Sequence, residues 1–249
     1  MLDFAGTAVD RQLFRERLQR ALPVTLLLNA LALFFGLAVA IPLAAYVGMH
    51  TGSSLDRSVS SVAFVLYGLP EFLIATLLVL VFSGGFFGQI LPGGQLHSDS
   101  APGQSVGARL LDLAAHLVLP VFTLALGYCV VTFRFLRNSV ARAAASDFVG
   151  ALRGWGMSES IVRRRVLKNG LSPLVTLLGT MLPSLITGTV VVETIFSLPG
   201  LGRLSYEAVR HYDYPMVMAL TMLVAVVTLL SLILSDVLQR VVDPRVQLR

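Results

Sequence analysis

Glu71 is a carboxylate inside a long apolar run, which extends from about Val59 to Phe82. An unpaired carboxylate at the centre of a bilayer costs on the order of 3 kcal/mol on insertion scales, so it should face a partner or a wet cavity. Its neighbour Pro70 frees a backbone carbonyl and can kink the helix. Glu71 and Pro70 are therefore candidates for lining a transport pathway. The alternative is a structural carboxylate, paired with an arginine or with hydroxyl groups.

The segment Asp147–Pro173 interrupts the apolar sequence with polar and strongly basic residues. A serine or aspartate at its start can cap a first short helix, from Phe148 to Trp155. Gly156 is placed to end that helix, because the residue past a helix C-terminus often needs a positive φ. Ser158 can then cap a second helix. The segment therefore predicts two short helices around a glycine, held against one face of a membrane.

No pattern in the sequence indicates catalysis or metal binding. The four histidines are scattered, without an i, i+4 pair or a neighbouring set of cysteines and carboxylates. Cys129 is the single cysteine, so a disulfide framework and a cysteine-based metal site are excluded. The chain also lacks the phosphate loop GxxxxGK[ST] and the motif HExxH. We expect no catalytic residue, no metal, no cofactor and no ATP hydrolysis by this chain itself.

The composition is that of an integral membrane protein. Hydrophobic residues make up 55% of the 249 residues and charged residues only 13%. The formal charge of +5 could suggest nucleic acid, but the cations lie beside apolar runs, as charges that set membrane topology do. We therefore expect the lipid bilayer, and no nucleic acid, as the surroundings of this chain.

Five apolar runs are each long enough to cross the roughly 30 Å of hydrocarbon, which takes about 20 residues. An amphipathic lead-in over residues 1–21 precedes a membrane domain over residues 22–249. The predicted spans cover about 22–47, 59–82, 113–135, 174–195 and 216–238. The fold class is therefore an all-α polytopic membrane protein.

The distribution of arginine and lysine predicts the orientation. The segment 147–173 and the C-terminal tail carry more of these residues than the connections 83–112 and 196–215, so both should be cytoplasmic. Five spans then place the N-terminus outside, which disagrees with the four arginines between residues 11 and 20. A further span before Met1 in a longer version of the chain would remove that disagreement.

The run from Phe148 to Pro173 resembles the cytoplasmic EAA loop of permease subunits of binding-protein-dependent ABC importers, in the dipeptide, oligopeptide and nickel permease branch. Gly156 stands at the loop glycine, and Leu167-Lys168-Asn169 and Pro173 open the next span. Further matches are Leu69-Pro70, Val192 to Ser197, Pro199 to Gly202, Tyr206 to Tyr214-Pro215, and Asp243-Pro244-Arg245. Each motif alone is weak, but the ordered set, from about Arg17 to the end, is highly specific.

The resemblance implies the architecture of a type I ABC importer permease, with a helix-turn-helix loop that couples it to an ATPase. The implied partners are a second homologous permease, two ATP-binding cassette ATPase subunits and an extracytoplasmic solute-binding protein, at a bacterial inner membrane. The substrates would be peptides or similar small solutes. The candidate coupling residues are Asp147, Trp155, Gly156, Met157, Ile161, Asn169 and Pro173.

The resemblance also gives Glu193 a candidate role, because it implies a gate near the outer end of the fourth span. The alternative is a carboxylate that extends to the outer membrane interface. The chain departs from the family pattern at Leu152, Gly154 and Trp155, where Ala, Ala and Lys are common, and the small residue usual at position 71 is a glutamate.

Other functions compete with an importer permease. A self-sufficient channel or secondary transporter should show inverted repeats or more charges within its spans, and neither is evident. An intramembrane enzyme would need a nucleophile with an adjacent base. The basic loop, for its part, could merely set topology and contact anionic lipid.

Overall fold

The structure is a computed structural model that describes residues 8–84, 90–98, 105–187 and 189–242, and within these ranges all of its regular secondary structure is helical. The helices are α1 (Ala8–Met49), α2 (Ser54–Gly68), α3 (Glu71–Phe82), α4 (Val106–Ala144), α5 (Asp147–Gly154), α6 (Glu159–Leu171), α7 (Leu174–Met181), α8 (Ser184–Thr187), α9 (Val190–Ile195), α10 (Leu201–Arg210) and α11 (Tyr214–Val242).

Three of the described helices are long and apolar enough to cross a membrane by themselves. They are Phe14–Met49 of α1, Val106–Ala144 of α4 and Tyr214–Val237 of α11. They correspond to the first, third and fifth predicted spans. The lead-in predicted over residues 1–21 is, from Ala8 onward, the start of α1, so it continues into the first span without a break.

The second predicted span, 59–82, is a pair of helices broken at Leu69-Pro70. Leu69 has an extended backbone, with φ −79° and ψ 128°, and α3 begins at Glu71. The residue before a proline is pushed out of the helical region by the proline ring, which accounts for the break. Counted as one span, this pair raises the number of candidate spans to four among the described residues.

The fourth predicted span, 174–195, is divided among the short helices α7, α8 and α9. Pro183 lies in the first interruption and cannot donate a backbone hydrogen bond. Thr189 lies in the second with an extended backbone, φ −115° and ψ 100°. Each helix is too short to cross a bilayer alone. A continuous fourth helix is therefore not found, and the count of five spans stays a prediction.

The chain forms two compact units, and the first comprises residues 1–31, 71–123 and 182–231. Its core joins α1, α10 and α11. The buried members are Ala21, Leu201, Ala208, Met216 and Leu220, with Phe14, Leu18, Leu22, Leu204 and Val217 packed against them. Phe14 and Leu18, which the sequence assigns to the amphipathic lead-in, therefore contribute to this core.

The second unit comprises residues 32–70, 124–181 and 232–249. Helices α1, α2 and α4 pack there around a cluster of Ala40, Ala44, Val47, Ala63, Val130, Phe133 and Leu136. The close approach of α1 to α4 depends on glycine. A Cβ on Gly36 would lie 2.8 Å from the Cβ of Tyr128, and a Cβ on Gly48 would lie 2.8 Å from the Cβ of Val140. Such small residues let helix backbones approach closely in a membrane.

Candidate functional site

The segment 147–173 forms two helices joined by a tight turn, with α5 over Asp147–Gly154 and α6 over Glu159–Leu171. Ser146 and Ser158 occupy the positions before these helices, but neither side chain makes a capping hydrogen bond. The hydroxyl of Ser146 instead donates to the carbonyl of Ala143 at 2.6 Å. Side-chain capping by these serines is therefore wrong, although the helix boundaries lie within about one residue of those predicted.

Gly156 ends α5 with a φ of +73°, as its position in the sequence predicts. The amide of Met157 donates to the carbonyl of Leu152 at 3.2 Å, and the amide of Gly156 donates to that of Arg153 at 2.9 Å. This pair of bonds is the Schellman arrangement, which satisfies the last carbonyls of a helix and requires a left-handed residue. The turn between α5 and α6 is therefore fixed by the backbone.

The loop helices have a small core of their own on the end of α4. Its buried residues are Val140, Val149, Leu152, Val162 and Val166, and Met157 packs against them. Leu152 departs from the family pattern and yet lies in this core. The spacing of Val162 and Val166, one helical turn apart, was a signal for this core that the sequence analysis did not use.

Two further contacts hold the loop together. Arg153 donates to Glu159 through Nε and Nη2, with lengths of 2.8 and 3.3 Å, and so joins α5 to α6. This bond lowers the pKa of the Glu159 carboxyl, because the guanidinium favours its ionised form. At the other end of α6, a Cβ on Gly170 would lie 2.7 Å from the Cα of Val140, so the two backbones touch there.

The candidate coupling residues divide by exposure. Trp155 is 74% exposed and Ile161 is 45% exposed, so both side chains are open to contact by another protein. Met157 is half-buried in the loop core, which leaves less of it for a partner. The polar candidates Asp147 and Asn169 are exposed. Pro173 is half-buried at the junction of α6 and α7.

Glu193 is fully buried in the first unit, in α9. Its Oε1 accepts a hydrogen bond of 2.9 Å from the Thr25 hydroxyl of α1. Its Oε2 accepts one of 3.0 Å from the amide of Arg203, in the first turn of α10. A carboxylate suits a helix N-terminus, where unpaired amides carry partial positive charge. Glu193 therefore does not extend to the membrane interface, and its carboxylate joins three helices.

The glycine before α10 makes room for that carboxylate. A Cβ on Gly200 would overlap the carboxylate of Glu193. Thr25 completes the arrangement, because its hydroxyl oxygen also accepts from the amide of Leu201 at 2.8 Å. The sequence analysis assigned no role to Thr25 or to Gly200, because nothing local marks either as a partner of Glu193.

Glu71 is the first residue of α3, and it is exposed. In the part of the chain that the structure describes, its carboxylate has no hydrogen bond and no ion pair. The structure therefore does not bring Glu71 together with Glu193 and its partners Thr25 and Arg203. Its role in a pathway stays a prediction, as does that of Pro70 beside it.

Arg137 forms an ion pair that the sequence analysis missed. Its Nε donates to Oδ1 of Asp56 at 3.0 Å, and its Nη2 donates to Oδ2. Asp56 also accepts from the amide of Gly52 at 2.8 Å. Arginine and carboxylate meet here in the two-bond geometry that suits both groups. The pair joins the start of α2 to α4, within the second unit.

Comparisons with known proteins agree on one family. Residues 36–248 match the family described as binding-protein-dependent transport system inner membrane component. The chain is 30% identical over 247 residues to the oligopeptide transport system permease protein AppB of Bacillus subtilis, a match that covers 97% of this chain and 75% of that protein. It is also 30% identical over 258 residues to the peptide transport system permease protein SapB of Salmonella typhimurium. That match covers 97% of this chain and 80% of SapB.

A solved structure has a similar fold. It is that of the MetNI methionine ABC transporter in an inward-facing conformation, and one of its chains matches with a TM-score of 0.69 and 18% identity over 92% of this chain and 97% of that one. At this level of identity, the likeness shows a shared fold.

Proposed function

Because the chain belongs to the family of inner membrane components of binding-protein-dependent transport systems, we propose that it forms a solute path with a second, homologous permease. It is a multi-pass protein of the bacterial cytoplasmic membrane and a permease of an ABC importer. The family match favours this function over a self-sufficient channel or secondary transporter. The resemblance drawn from the loop motifs is thereby confirmed, and the pairing with a second permease is our proposal.

The energy for transport would come from two separate ATPase subunits. The sequence carries no phosphate loop, so this chain would not hydrolyse ATP by that route. Movement must then pass from an ATPase into the membrane helices through a rigid contact. The family name states that transport depends on a binding protein, and such a protein would deliver the substrate from outside.

One observation carries the assignment of the ATPase contact: the segment 147–173 is rigid and yet exposes large apolar side chains. Its own core and its backbone-fixed turn hold α5 against α6. Trp155 and Ile161 remain open on this segment. Buried aromatic anchors carry most of the energy of many protein interfaces, so Trp155 is the expected principal contact.

Peptides are the proposed substrates. The relatives named above are an oligopeptide permease and a peptide permease. They match this chain over nearly its whole length. The solute-binding protein would select among peptides before they reach this chain.

The double variant Trp155→Ala, Ile161→Ala tests the coupling assignment. We expect the ATPase to be lost on purification, or its hydrolysis to become independent of substrate, while the membrane helices still insert. The matched control is Tyr212→Ala, which removes an aromatic side chain that is 75% exposed next to α10. The assays are ATPase retention and substrate-stimulated hydrolysis in reconstituted vesicles.

Gly156→Val tests the same assignment through geometry. A β-branched residue is strained at positive φ, so the valine should turn α6 away from its contact. Gly150→Val is the control, because a Cβ at that position in α5 meets open space. Normal coupling in both Gly156→Val and the Trp155, Ile161 double variant would contradict the assignment. The loop would then act only as a topology signal.

A further inference from the structure

Arg134 of α4 lies over aromatic rings of α2 in the second unit. Its guanidinium carbon is 4.4 Å from the centroid of the Tyr67 ring and 6.0 Å from that of Phe64. Both rings are well exposed, at 60% for Tyr67 and 68% for Phe64. In the sequence, Arg134 is the second-last residue of the third predicted span, 113–135.

This arginine keeps its hydrogen-bonding edge available. A ring covers the face of a guanidinium and leaves its N–H donors at the edge. Over the described ranges, Arg134 has neither an ion pair nor a hydrogen bond. An arginine within a membrane span is costly unless it meets an anion or water. The face of α2 and α4 that carries Arg134 should therefore be wet, with an anion-binding edge.

A groove runs along α2, and one of its lining residues, Phe64, is a ring over which Arg134 lies. Its open volume is about 540 Å³, and it is lined by Asp56, Arg57, Ser60, Ser61, Phe64, Val65 and Arg137. Residues 57, 60, 64 and 67 recur at intervals of three and four and so share one face of the helix. Ten residues of helix extend about 15 Å, which is the length of four or five residues of extended peptide.

The charge of the groove is positive. Arg137 is neutralised by Asp56, with which it forms an ion pair. Arg57 is exposed and has no ion pair among the residues described. Arg57, near the start of this face of α2, and Arg134, which lies from α4 over Tyr67 at its far end, are thus two cations without an ion pair in the described ranges. This separation fits a ligand with two separated carboxylates better than a lipid headgroup with one phosphate.

We propose that this groove binds the carboxylates of the transported solute, with Arg134 on the C-terminal carboxylate of a short acidic peptide. The side chains of Tyr67 and Phe64 give an apolar surface beside it, and Ser60 and Ser61 offer hydroxyls to the peptide backbone. Arg57 binds an acidic side chain further along. The peptide class rests on the proposed function above, whereas the selection for carboxylates is the new assignment.

Arg134→Gln provides the test in the complete importer, reconstituted with its ATPases and binding protein. The probes are an acidic tetrapeptide with a free C-terminus and the same peptide as its C-terminal amide. We expect KM for the free acid to rise about 10- to 100-fold, since charge-assisted hydrogen bonds are lost, and KM for the amide to stay unchanged. Comparing variant with wild type for each peptide cancels the selection made by the binding protein.

Two variants complete the design. Arg57→Gln, at an exposed position, should raise KM for the acidic peptide and leave that for a neutral peptide unchanged. Arg210→Gln, on α10 and equally exposed, is the control for loss of a surface cation and should change neither. Direct binding of a fluorescent tetrapeptide to the purified complex gives a second readout that does not depend on turnover.

Several outcomes would overturn the assignment. An equal rise in KM for acid and amide means that Arg134 does not bind the carboxylate. Loss of folded complex in Arg134→Gln, with normal kinetics in Arg57→Gln, means that Arg134 only clamps α2. A rise that appears in vesicles containing anionic lipid and vanishes in neutral ones means that the groove binds lipid. Failure of the wild type to take up any peptide contradicts the proposed substrate class instead, and is distinguishable from these.

Discussion

Thr25 and Glu193 are 168 positions apart in the chain, and a 2.9 Å hydrogen bond joins their side chains in a fully buried site. The same threonine oxygen accepts from the amide of Leu201. One hydroxyl thus serves a carboxylate and a helix N-terminus together. Buried polar groups are costly when a partner is removed, so this contact should matter more than a typical hydrogen bond.

Thr25→Val removes that hydroxyl with almost no change of shape. Glu193 and the Leu201 amide would each lose a partner, so we expect a loss of about 1–3 kcal/mol in stability. The measurement is the midpoint of thermal unfolding in detergent. Thr221→Val is the control, because Thr221 is exposed and donates only to the Val217 carbonyl of its own helix. Equal midpoints for the two variants would show that the buried contact is dispensable.

Gly170→Ala should destabilise the loop. The added Cβ would lie 2.7 Å from the Cα of Val140, and backbone atoms cannot easily yield. Overpacking of this kind costs about 1–3 kcal/mol. Gly150→Ala is the matched variant in α5, where a Cβ meets nothing and helix propensity should improve stability by up to about 1 kcal/mol. Limited proteolysis of the loop compares the two, and similar protection in both would contradict the packing.

Glu159→Gln should make the loop less sensitive to acid. The pKa of Glu159 is lowered by the hydrogen bond from Arg153, so the ion pair stabilises the folded loop above the ordinary pKa of about 4.5 and is lost as pH falls through the lowered value. The difference between wild type and variant should therefore be present at neutral pH, shrink below pH 4.5 and vanish in stronger acid. Both groups are exposed, so the effect is small and weakens with salt. A difference that grows on acidification would reverse the assignment.

Glu71→Gln should leave the amount of folded protein unchanged. Glu71 is exposed, and no counter-ion among the described residues would be left unpaired. Glu193→Gln is the contrasting variant. The side-chain NH2 group of the new glutamine would face either the donating amide of Arg203 or the Thr25 hydroxyl, so the amount of folded protein should fall. Uptake measured at equal abundance then tests Glu71 as a pathway residue. Normal uptake together with normal abundance would make Glu71 incidental.

The parts of the fold that follow local rules were predictable. Gly156 needs a positive φ because it follows a short helix, and Leu69 leaves the helix because a proline follows it. The all-helical class followed from the length of the apolar runs. The boundaries of the first loop helix were predicted to within a residue, since a serine precedes it and Gly156 follows it.

The contacts that define the sites were not predictable, because they join residues far apart in the chain. Asp56 and Arg137 are 81 positions apart, and no local pattern relates them. The fourth span was predicted as one apolar run, although Pro183 within it was a local signal for the break that the sequence analysis did not use. The serines before the loop helices fit a capping pattern, yet backbone geometry and Arg153–Glu159 stabilise the loop instead.

The contact of Gly170 with Val140 also has a mechanical consequence. Gly170 places no side chain between the backbones of α6 and α4, so few flexible atoms at this contact could take up a movement of α6. A displacement applied to α6 would therefore reach α4 with little damping.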